Sequence, residues 1–269
     1  MRAKLTVLIP CKNEADNLPA CIASLQGIAD ELLIADSGST DGTLEIAKAC
    51  GATRIIEREF INSGDFKNWA IPQAAHEWVF ILDADERLTP ELVAEIRRIL
   101  SAPRLFDGYA VRRRNHFMGH RLNHTSWARD RVTRLIHRDR CGYQLHTDHS
   151  EIELPRHRVG QLRQLLIHYT CWEYESYLRK MIRYAEQQAD LWHKQGRRPS
   201  LWKTMANGPL RFLRSYVVEL GFLDGWAGLQ VSVLTGFYSF LKQAWLWQKC
   251  AARNREELDR HAQEVYSGT

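Results

Sequence analysis

Hydrophobic positions in the first hundred residues form short apolar runs separated by segments with helical spacing. The apolar runs lie at 5–9, 31–36, 53–56 and 77–82, and each has the length of a buried strand. Between them, Leu18, Ile22 and Leu25 repeat at the spacing of one helix face, and a further helix is predicted over 65–75. This alternation of strands with helices predicts βαβ units and a mainly parallel sheet in an α/β protein.

Two residues that follow the strand at 77–82 predict where the next helix begins. Thr89 has the side chain of an N-cap residue, and Pro90 suits the first helical position. The positions that then face the core at helical spacing are Leu92, Val93, Ile96 and Ile99.

Polar residues follow three of these strands: Asn13 and Glu14, then 36–41, then 83–86. The carboxyl ends of parallel strands meet at one crevice, where open α/β sheets bind ligands. Carboxylates suit Mg²⁺ or Mn²⁺, which keep positions open for substrate phosphates. One acidic pair alone is more often a solvated turn, but three such strand ends favour a metal-dependent site for a phosphorylated ligand. No G-x-G-x-x-G or G-x-x-x-x-G-K-[ST] loop is present.

The charge of the chain is divided unevenly. Residues 1–100 carry 10 Lys+Arg and 16 Asp+Glu, a net of −6, whereas residues 101–269 carry 27 and 16, a net of +11. The basic part suggests an anionic partner: nucleic acid, a phosphorylated substrate or an anionic membrane surface. Six scattered cysteines without C-x-x-C spacing indicate reduced thiols, and the absence of a signal-peptide pattern predicts a cytoplasmic location.

From residue 171 the pattern changes to long helices. Apolar residues repeat at helical spacing from Tyr174 to Trp192, a basic stretch follows, and 225–241 contains no charged residue. That run is too short and too polar for a membrane span. Its aromatic residues beside basic ones suit a peripheral position on an anionic leaflet, or else a helical hairpin that caps the preceding domain or packs in a dimer. We therefore predict domains at 1–170 and 171–269.

Four motifs in order carry a resemblance to a known family. TVLIPCKNE at 6–14, ADSGSTDGT at 35–43, FKN at 66–68 and LDAD at 82–85 resemble the successive signatures of the family 2 glycosyltransferases. The resemblance covers about the first 150 residues. It implies the GT-A fold and an inverting enzyme that uses Mg²⁺ or Mn²⁺ and a nucleotide-diphospho-sugar.

The resemblance also implies roles for particular residues. The nucleotide pocket would include Pro10, Asn13, Glu14, Asp36 and Lys67, with Asp36 accepting a hydrogen bond from the base. Asp83 would face the ribose or donor sugar, and Asp85, with Asp83 beside it, would hold the metal that bridges the diphosphate. Asp41 is expected to cap the following helix, and Glu86 is interpreted as a bystander.

An inverting transfer needs a carboxylate that takes the proton of the acceptor hydroxyl. Asp130 stands at the position that the resemblance implies for this base, with cationic Arg131 and Arg134 after it; the alternative is a salt bridge to one of these flanking arginines. His146 and Glu151 resemble a later His-Glu element, which makes Glu151 or Asp148 a second candidate base and His146 either a diphosphate contact or a residue that orients such a contact.

Histidines at 116, 120 and 124 would share a helix face as zinc ligands, but Gly119 and nearby arginines favour an acceptor loop.

Further elements near 168, 183, 212 and 221 resemble bacterial lipopolysaccharide inner-core glucosyltransferases. The resemblance thus implies transfer of glucose from UDP-glucose to a lipid-linked saccharide, with Arg112 to Arg114 facing acceptor phosphates. The alternatives are transfer to polyprenyl phosphate or another surface polysaccharide, a nucleic-acid-binding protein, and a non-catalytic sugar-binding relative. Enzymes that use polyprenyl phosphate normally carry membrane-spanning helices. A nucleic-acid-binding protein would leave the acids after the strands without a role. The presence of Asp83, Asp85 and Asp130 together argues against a non-catalytic relative.

Overall fold

The computed structural model describes residues 2–143 and 152–251, together with residues 259 and 266. The described strands form one sheet of nine strands. They are β1 (Leu5–Cys11), β2 (Glu31–Asp36), β3 (Arg54–Glu57), β4 (Trp78–Ile81), β5 (Glu86–Leu88), β6 (Gly108–Phe117), β7 (His120–Arg121), β8 (Arg131–His137) and β9 (Val159–Cys171).

The sheet runs in the order β3-β2-β1-β4-β8-β6-β9-β5, with β7 paired to β6. Strands β1 to β4 pair in parallel with one another, as the alternating pattern predicts. Beyond β4 the sheet is mixed, because β8 is antiparallel to both β4 and β6, and β6 is parallel to β9. The carboxyl ends of β1, β2 and β4 therefore lie side by side at one edge of the sheet.

Helices cover both faces of the sheet in its first half. They are α1 (Leu18–Ala23), α2 (Thr43–Ala49), α3 (Ser63–Ala70) and α4 (Pro90–Ser101). The Thr89 side chain accepts a hydrogen bond from the Leu92 amide, which confirms the predicted cap of α4. The helix predicted over 65–75 is wrong at its end: α3 stops at Ala70, because Pro72 cannot continue an α-helix.

Alternate residues of β1 face two separate cores, which explains why that strand is apolar at almost every position. Leu5, Val7 and Ile9 pack in a cluster with α1 and α4, whereas Leu8 packs on the opposite face with residues of α3. Burial on both faces is typical of parallel strands between two helical layers.

Three helices follow the sheet: α5 (Tyr174–Lys194), α6 (Leu201–Leu213) and α7 (Gly225–Ala251). A third apolar cluster joins residues of α5 and α7 to Phe117 of β6 and Leu122. Helices α6 and α7 cross closely, since a Cβ added at Gly236 would lie 2.7 Å from the carbonyl oxygen of Gly208. The division at residue 170 stays a prediction.

Within the described ranges, no single helix has the length and apolar composition needed to cross a membrane. The segments Leu201–Val218 and Gly221–Cys250, bent by 72° relative to each other, meet that requirement only as a pair.

Candidate active site

The polar residues after β1 and β2 interlock at the carboxyl edge of the sheet. The Asn13 amide donates to the Ser39 hydroxyl at 2.9 Å, and the Thr40 amide donates to Asn13 Oδ1 at 2.8 Å. Asn13 has a positive φ of 54°, a conformation that asparagine tolerates better than most residues. The two strand ends therefore converge, as predicted.

Asp36 is completely buried and is held by its own loop. Its Oδ2 accepts hydrogen bonds from the amides of Gly38 and Ser39, both at 2.8 Å, and its Oδ1 accepts from the Ser39 hydroxyl. Asp41 accepts from the Thr43 amide at 3.1 Å, at the start of α2. A nucleotide base would share Asp36 with these donors, and its contact with the base stays a prediction.

Glu14 lies at the same edge and faces the acids that follow β4. Burial raises the pKa of its carboxyl group, and the negative charges of Asp85 and Asp83 raise it further, whereas the hydrogen bond from Asn17 opposes the shift. Pro10, which was predicted to line the nucleotide pocket, lies near the end of β1 and pairs with Ala35 of β2.

Two cations neutralise Asp83. Lys67 Nζ lies 3.3 Å from its Oδ1, and the buried Arg134 guanidinium contacts its Oδ2. Burial favours the neutral acid, but the charges of Arg134 and Lys67 outweigh this effect and hold the pKa of Asp83 well below its usual range. Both oxygens of Asp83 are thus engaged by cations, which makes this residue less suited than Asp85 to bind a metal.

The interpretation of Glu86 as a bystander is wrong. Its side chain is fully buried, contacts Arg134 at 2.5 Å and lies 3.5 Å from Arg113. It also accepts a hydrogen bond from the amide of Asp83 at 3.1 Å. Glu86 is therefore the internal counter-charge that fixes both arginines behind the acids.

Asp85 faces a histidine from the far end of the sheet. Strand β5 pairs with β9, and this pairing brings His168 Nε2 within 3.4 Å of Asp85 Oδ2. Burial again favours the neutral acid, but the charge and hydrogen bond of His168 lower the pKa of Asp85 overall. The amide of Tyr169 donates to the Asp85 carbonyl at 3.0 Å and fixes the backbone.

The tautomer of His168 follows from Asn115. The Asn115 amide nitrogen donates to the Trp127 carbonyl at 2.6 Å, so its oxygen accepts from His168 Nδ1, also at 2.6 Å. With Nδ1 donating to Asn115, Nε2 faces Asp85: a protonated Nε2 donates to the carboxylate as an ion pair, and in the neutral ring Nε2 carries the lone pair that a metal ion would use. Such an outer hydrogen bond is the usual way in which a metal-binding histidine is oriented.

The Asp85 carboxylate and the His168 imidazole fit a divalent cation as two of its ligands. Among the residues that the structure describes, no group of three or more His, Cys, Asp or Glu side chains could hold a metal ion. Mg²⁺ is commonly bound by one or two carboxylates together with substrate phosphates, so Asp85 and His168 suffice if a diphosphate supplies the remaining oxygens. The histidines at 116, 120 and 124 do not share a helix: they lie on β6, on β7 and in the following loop.

Within the described residues, Asp130 is paired with Arg113 of the neighbouring strand and not with a flanking arginine. Arg113 Nη2 and Nε lie 2.5 and 2.7 Å from Asp130 Oδ2, and Asn115 Nδ2 lies 3.3 Å from the same oxygen. Arg131 instead contacts Gln161 at 2.7 Å, so the structure does not bring it to the acids.

Asn115 connects the two halves of the site, since it contacts both His168 and Asp130. Sequence reasoning gave no role to Asn115, expected Arg113 only to face acceptor phosphates, and noted His168 only as part of the resemblance. Lys180 of α5 was also missed, although its charge acts on Asp83 and Asp85. His146, Asp148 and Glu151 lie outside the described residues.

The family model described as Glycosyl transferase family 2 matches residues 6–182. The lipopolysaccharide core biosynthesis glycosyltransferase LpsC of Rhizobium meliloti (strain 1021) is 30% identical over 260 residues, covering 95% of this chain and 96% of LpsC. The uncharacterized glycosyltransferase RP128 of Rickettsia prowazekii (strain Madrid E) is 26% identical, covering 90% and 86%.

Two solved structures share the fold. The mannosyltransferase PcManGT from Pyrobaculum calidifontis, in complex with GDP-Man and Mn²⁺, gives a TM-score of 0.51 at 17% identity, covering 99% of this chain and 80% of that one. Glucosyl-3-phosphoglycerate synthase from Mycobacterium tuberculosis, in complex with Mn²⁺, UDP and glucosyl-3-phosphoglycerate, gives 0.51 at 18% identity, covering 74% and 82%. The predicted GT-A fold is confirmed.

Proposed function

The chain belongs to glycosyl transferase family 2, and we propose that it transfers glucose from UDP-glucose to lipopolysaccharide core or a similar lipid-linked saccharide, with inversion. The observation that carries the proposal is the continuous contact from Asp85 through His168 and Asn115 to Asp130. It links a half-formed metal site to a candidate base at one edge of the sheet. The printed name of LpsC supports the acceptor class.

In this proposal Asp85 and His168 hold Mg²⁺ or Mn²⁺, which when bound stabilises the negative charge of the departing nucleoside diphosphate. The solved neighbours named above carry Mn²⁺ with a nucleotide or a nucleotide sugar. Glu14 and Lys67 line the donor side, and Lys67 with Arg134 keeps Asp83 ionised and fixed toward the sugar.

Asp130 takes the proton of the acceptor hydroxyl as that oxygen attacks the anomeric carbon. The contacts of its carboxylate within the described residues all fall on Oδ2, so that Oδ1 is free to accept the proton. Arg113 and Asn115 thereby orient the base without occupying both of its oxygens.

We also propose that helices α6 and α7 rest on an anionic membrane surface. Trp202, Val218 and Trp226 are 80%, 74% and 79% exposed on the bent pair, an unusual exposure for large apolar side chains. Arginines and lysines accompany them, including Lys203, Arg211 and Arg214. Such a surface suits an interfacial position.

A turnover assay tests the proposed transfer of glucose. UDP release is measured with a panel of sugar nucleotides, Mn²⁺ and deep-core lipopolysaccharide, for the wild type and Asp85→Ala. We expect the fastest release with UDP-glucose and a loss of at least about 100-fold in the variant. Activity that survives Asp85→Ala would exclude the metal role. Binding of nucleic acid without turnover of any sugar nucleotide would favour a binding protein.

Sedimentation with phosphatidylglycerol vesicles tests the membrane contact. Trp202→Gln combined with Trp226→Gln should reduce the bound fraction, whereas Leu105→Gln, which alters an equally exposed residue before β6, should not. Equal binding of all three proteins would remove this part of the proposal.

A further inference from the structure

A cavity of about 250 Å³ lies next to the candidate base. Its wall carries a concentration of positive charge from β6, the loop after β7 and the residue before Asp130. The arginines of this wall are Arg112, Arg113, Arg114, Arg121 and Arg129, and His124 lies beside them. The cavity thus adjoins Asp130 both through Arg129 and through Arg113, which is paired with Asp130.

Within the described residues, four of the five arginines of this wall have no acidic partner. Arg113 pairs with Asp130 and Glu86, but in the part of the chain that the structure describes no carboxylate forms an ion pair with the other four arginines. Glu219, the one acid among the lining residues, is paired with Arg214 at 3.1 Å. Arg114 Nε is buried and has no hydrogen-bond partner within the described residues.

This arrangement matches a phosphate group. Guanidinium groups present several N–H donors in one plane and bind phosphate oxygens in pairs. Four unpaired cations around one small space repel each other, and a dianion relieves more of that repulsion than a single carboxylate does. The volume is below the usual range of about 300–1,000 Å³ for small-molecule sites, so it suits one charged group with part of a sugar.

The cavity also reaches the apolar surface of the helices. Val218 and Leu220, at the bend between α6 and α7, line it and are 74% and 44% exposed. The Thr125 amide donates to the Glu219 carbonyl at 3.0 Å, and His124 contacts Asp224 at 2.8 Å. The loop after β7 is therefore fixed to the bend, and the cavity lies between the base and the proposed membrane surface.

We infer that this cavity is the acceptor subsite, and that it binds a phosphate group carried by the acceptor saccharide. The inference rests on the proposed function, because it assigns the acceptor side of the same site. A phosphate held by Arg114 and Arg121 would anchor a lipid-linked acceptor at the membrane surface with a neighbouring hydroxyl within reach of Asp130.

Histidine NMR tests phosphate binding without any need for turnover. UDP and Mg²⁺ first saturate the donor site, inorganic phosphate is then titrated, and the His124 resonance is identified by its loss in His124→Gln. We expect a saturable shift whose apparent Kd rises at least about tenfold in Arg114→Gln/Arg121→Gln. Arg98→Gln, an exposed change on α4, should leave the Kd unchanged, and Arg114→Lys/Arg121→Lys should restore part of the affinity. An unresponsive His124, or equal binding by the double glutamine variant, would overturn the inference.

Kinetics then identify the source of the phosphate. The double glutamine variant should raise the KM for phosphorylated deep-core lipopolysaccharide about tenfold, without changing the KM for UDP-glucose or for the dephosphorylated acceptor. If phosphatidylglycerol vesicles shift His124 while the acceptor KM stays unchanged in the variant, the phosphate belongs to a membrane lipid and the acceptor assignment is wrong. Phosphate binding in a protein without turnover would keep the phosphate site and reject the proposed function.

Discussion

His168 Nε2 lies 3.4 Å from Asp85 Oδ2, with its opposite nitrogen fixed by Asn115. Nε2 is thus directed at the carboxylate and, when it is protonated, donates a hydrogen bond to it. A hydrogen-bonded ion pair explains the lowered pKa of Asp85, whereas a metal would replace that pairing and use both groups as ligands.

His168→Ala should therefore weaken the binding of Mn²⁺. We expect the Mn²⁺ concentration for half-maximal UDP release to rise about 10- to 100-fold, and calorimetry in the presence of UDP should show the same loss of affinity. Treatment with EDTA should abolish turnover of the wild type, and added Mn²⁺ should restore it. His157→Ala, which alters an exposed histidine before β9, is the matched control. Unchanged Mn²⁺ affinity in His168→Ala would show that the imidazole is no ligand.

Asp130→Asn should lower kcat by about 10²- to 10⁴-fold, the usual contribution of a general base. The amide keeps the shape of the side chain and can still contact Arg113, but it cannot take the proton of the acceptor hydroxyl. The affinity for UDP, measured by calorimetry, should stay within a factor of about two because Asp130 lies on the acceptor side.

Asp139→Asn is the control for that change, because Asp139 is an exposed acid paired with Arg138. If Asp130→Asn retains full activity, the base lies elsewhere, and Glu151 becomes the next residue to substitute.

Local patterns predicted the elements that carry the donor side. Short apolar runs and the Thr89 cap depend on residues close together in the chain, and the structure agrees with them. The convergence of the polar residues after β1, β2 and β4 could be predicted because the carboxyl ends of parallel strands meet at one edge of the sheet.

The acceptor side depends on pairings between distant strands. His168 reaches Asp85 because β9 pairs with β5, and Asn115 reaches His168 because β9 also pairs with β6. Neither pairing has a signal in the sequence near these residues. Glu86 was misjudged for the same reason: its partners, Arg113 and Arg134, come from β6 and β8.

Glu86→Gln should destabilise the protein by about 1.5–3 kcal/mol, because it removes the fully buried counter-charge that Arg134 and Arg113 share and leaves each with one partly exposed acid, Asp83 and Asp130. The free energy of unfolding is measured by urea titration followed by circular dichroism. Glu175→Gln removes an exposed partner of Arg179 on α5 and should cost less than about 1 kcal/mol. Equal stability of Glu86→Gln and the wild type would mean that Arg134 is neutralised by Asp83 alone.

Gly236→Ala tests the crossing of α6 and α7. In an isolated helix the change from glycine to alanine would stabilise by about 1 kcal/mol. Here the new methyl group would meet the Gly208 carbonyl at 2.7 Å, and because that atom belongs to the backbone the two helices must separate. Overpacking of this kind costs about 1–3 kcal/mol, which outweighs the gain in propensity, so we expect a lower free energy of unfolding.

Gly142→Ala provides the comparison, since its added Cβ would lie 3.6 Å from Asn68 Oδ1, an ordinary contact distance. The proposed membrane surface is built on the same crossing, so Gly236→Ala should also reduce sedimentation with phosphatidylglycerol vesicles while leaving the affinity for UDP unchanged. A stabilised Gly236→Ala protein would contradict the close crossing of α6 and α7. It would also remove support for the position of the bend between these helices, which lines the cavity next to Asp130.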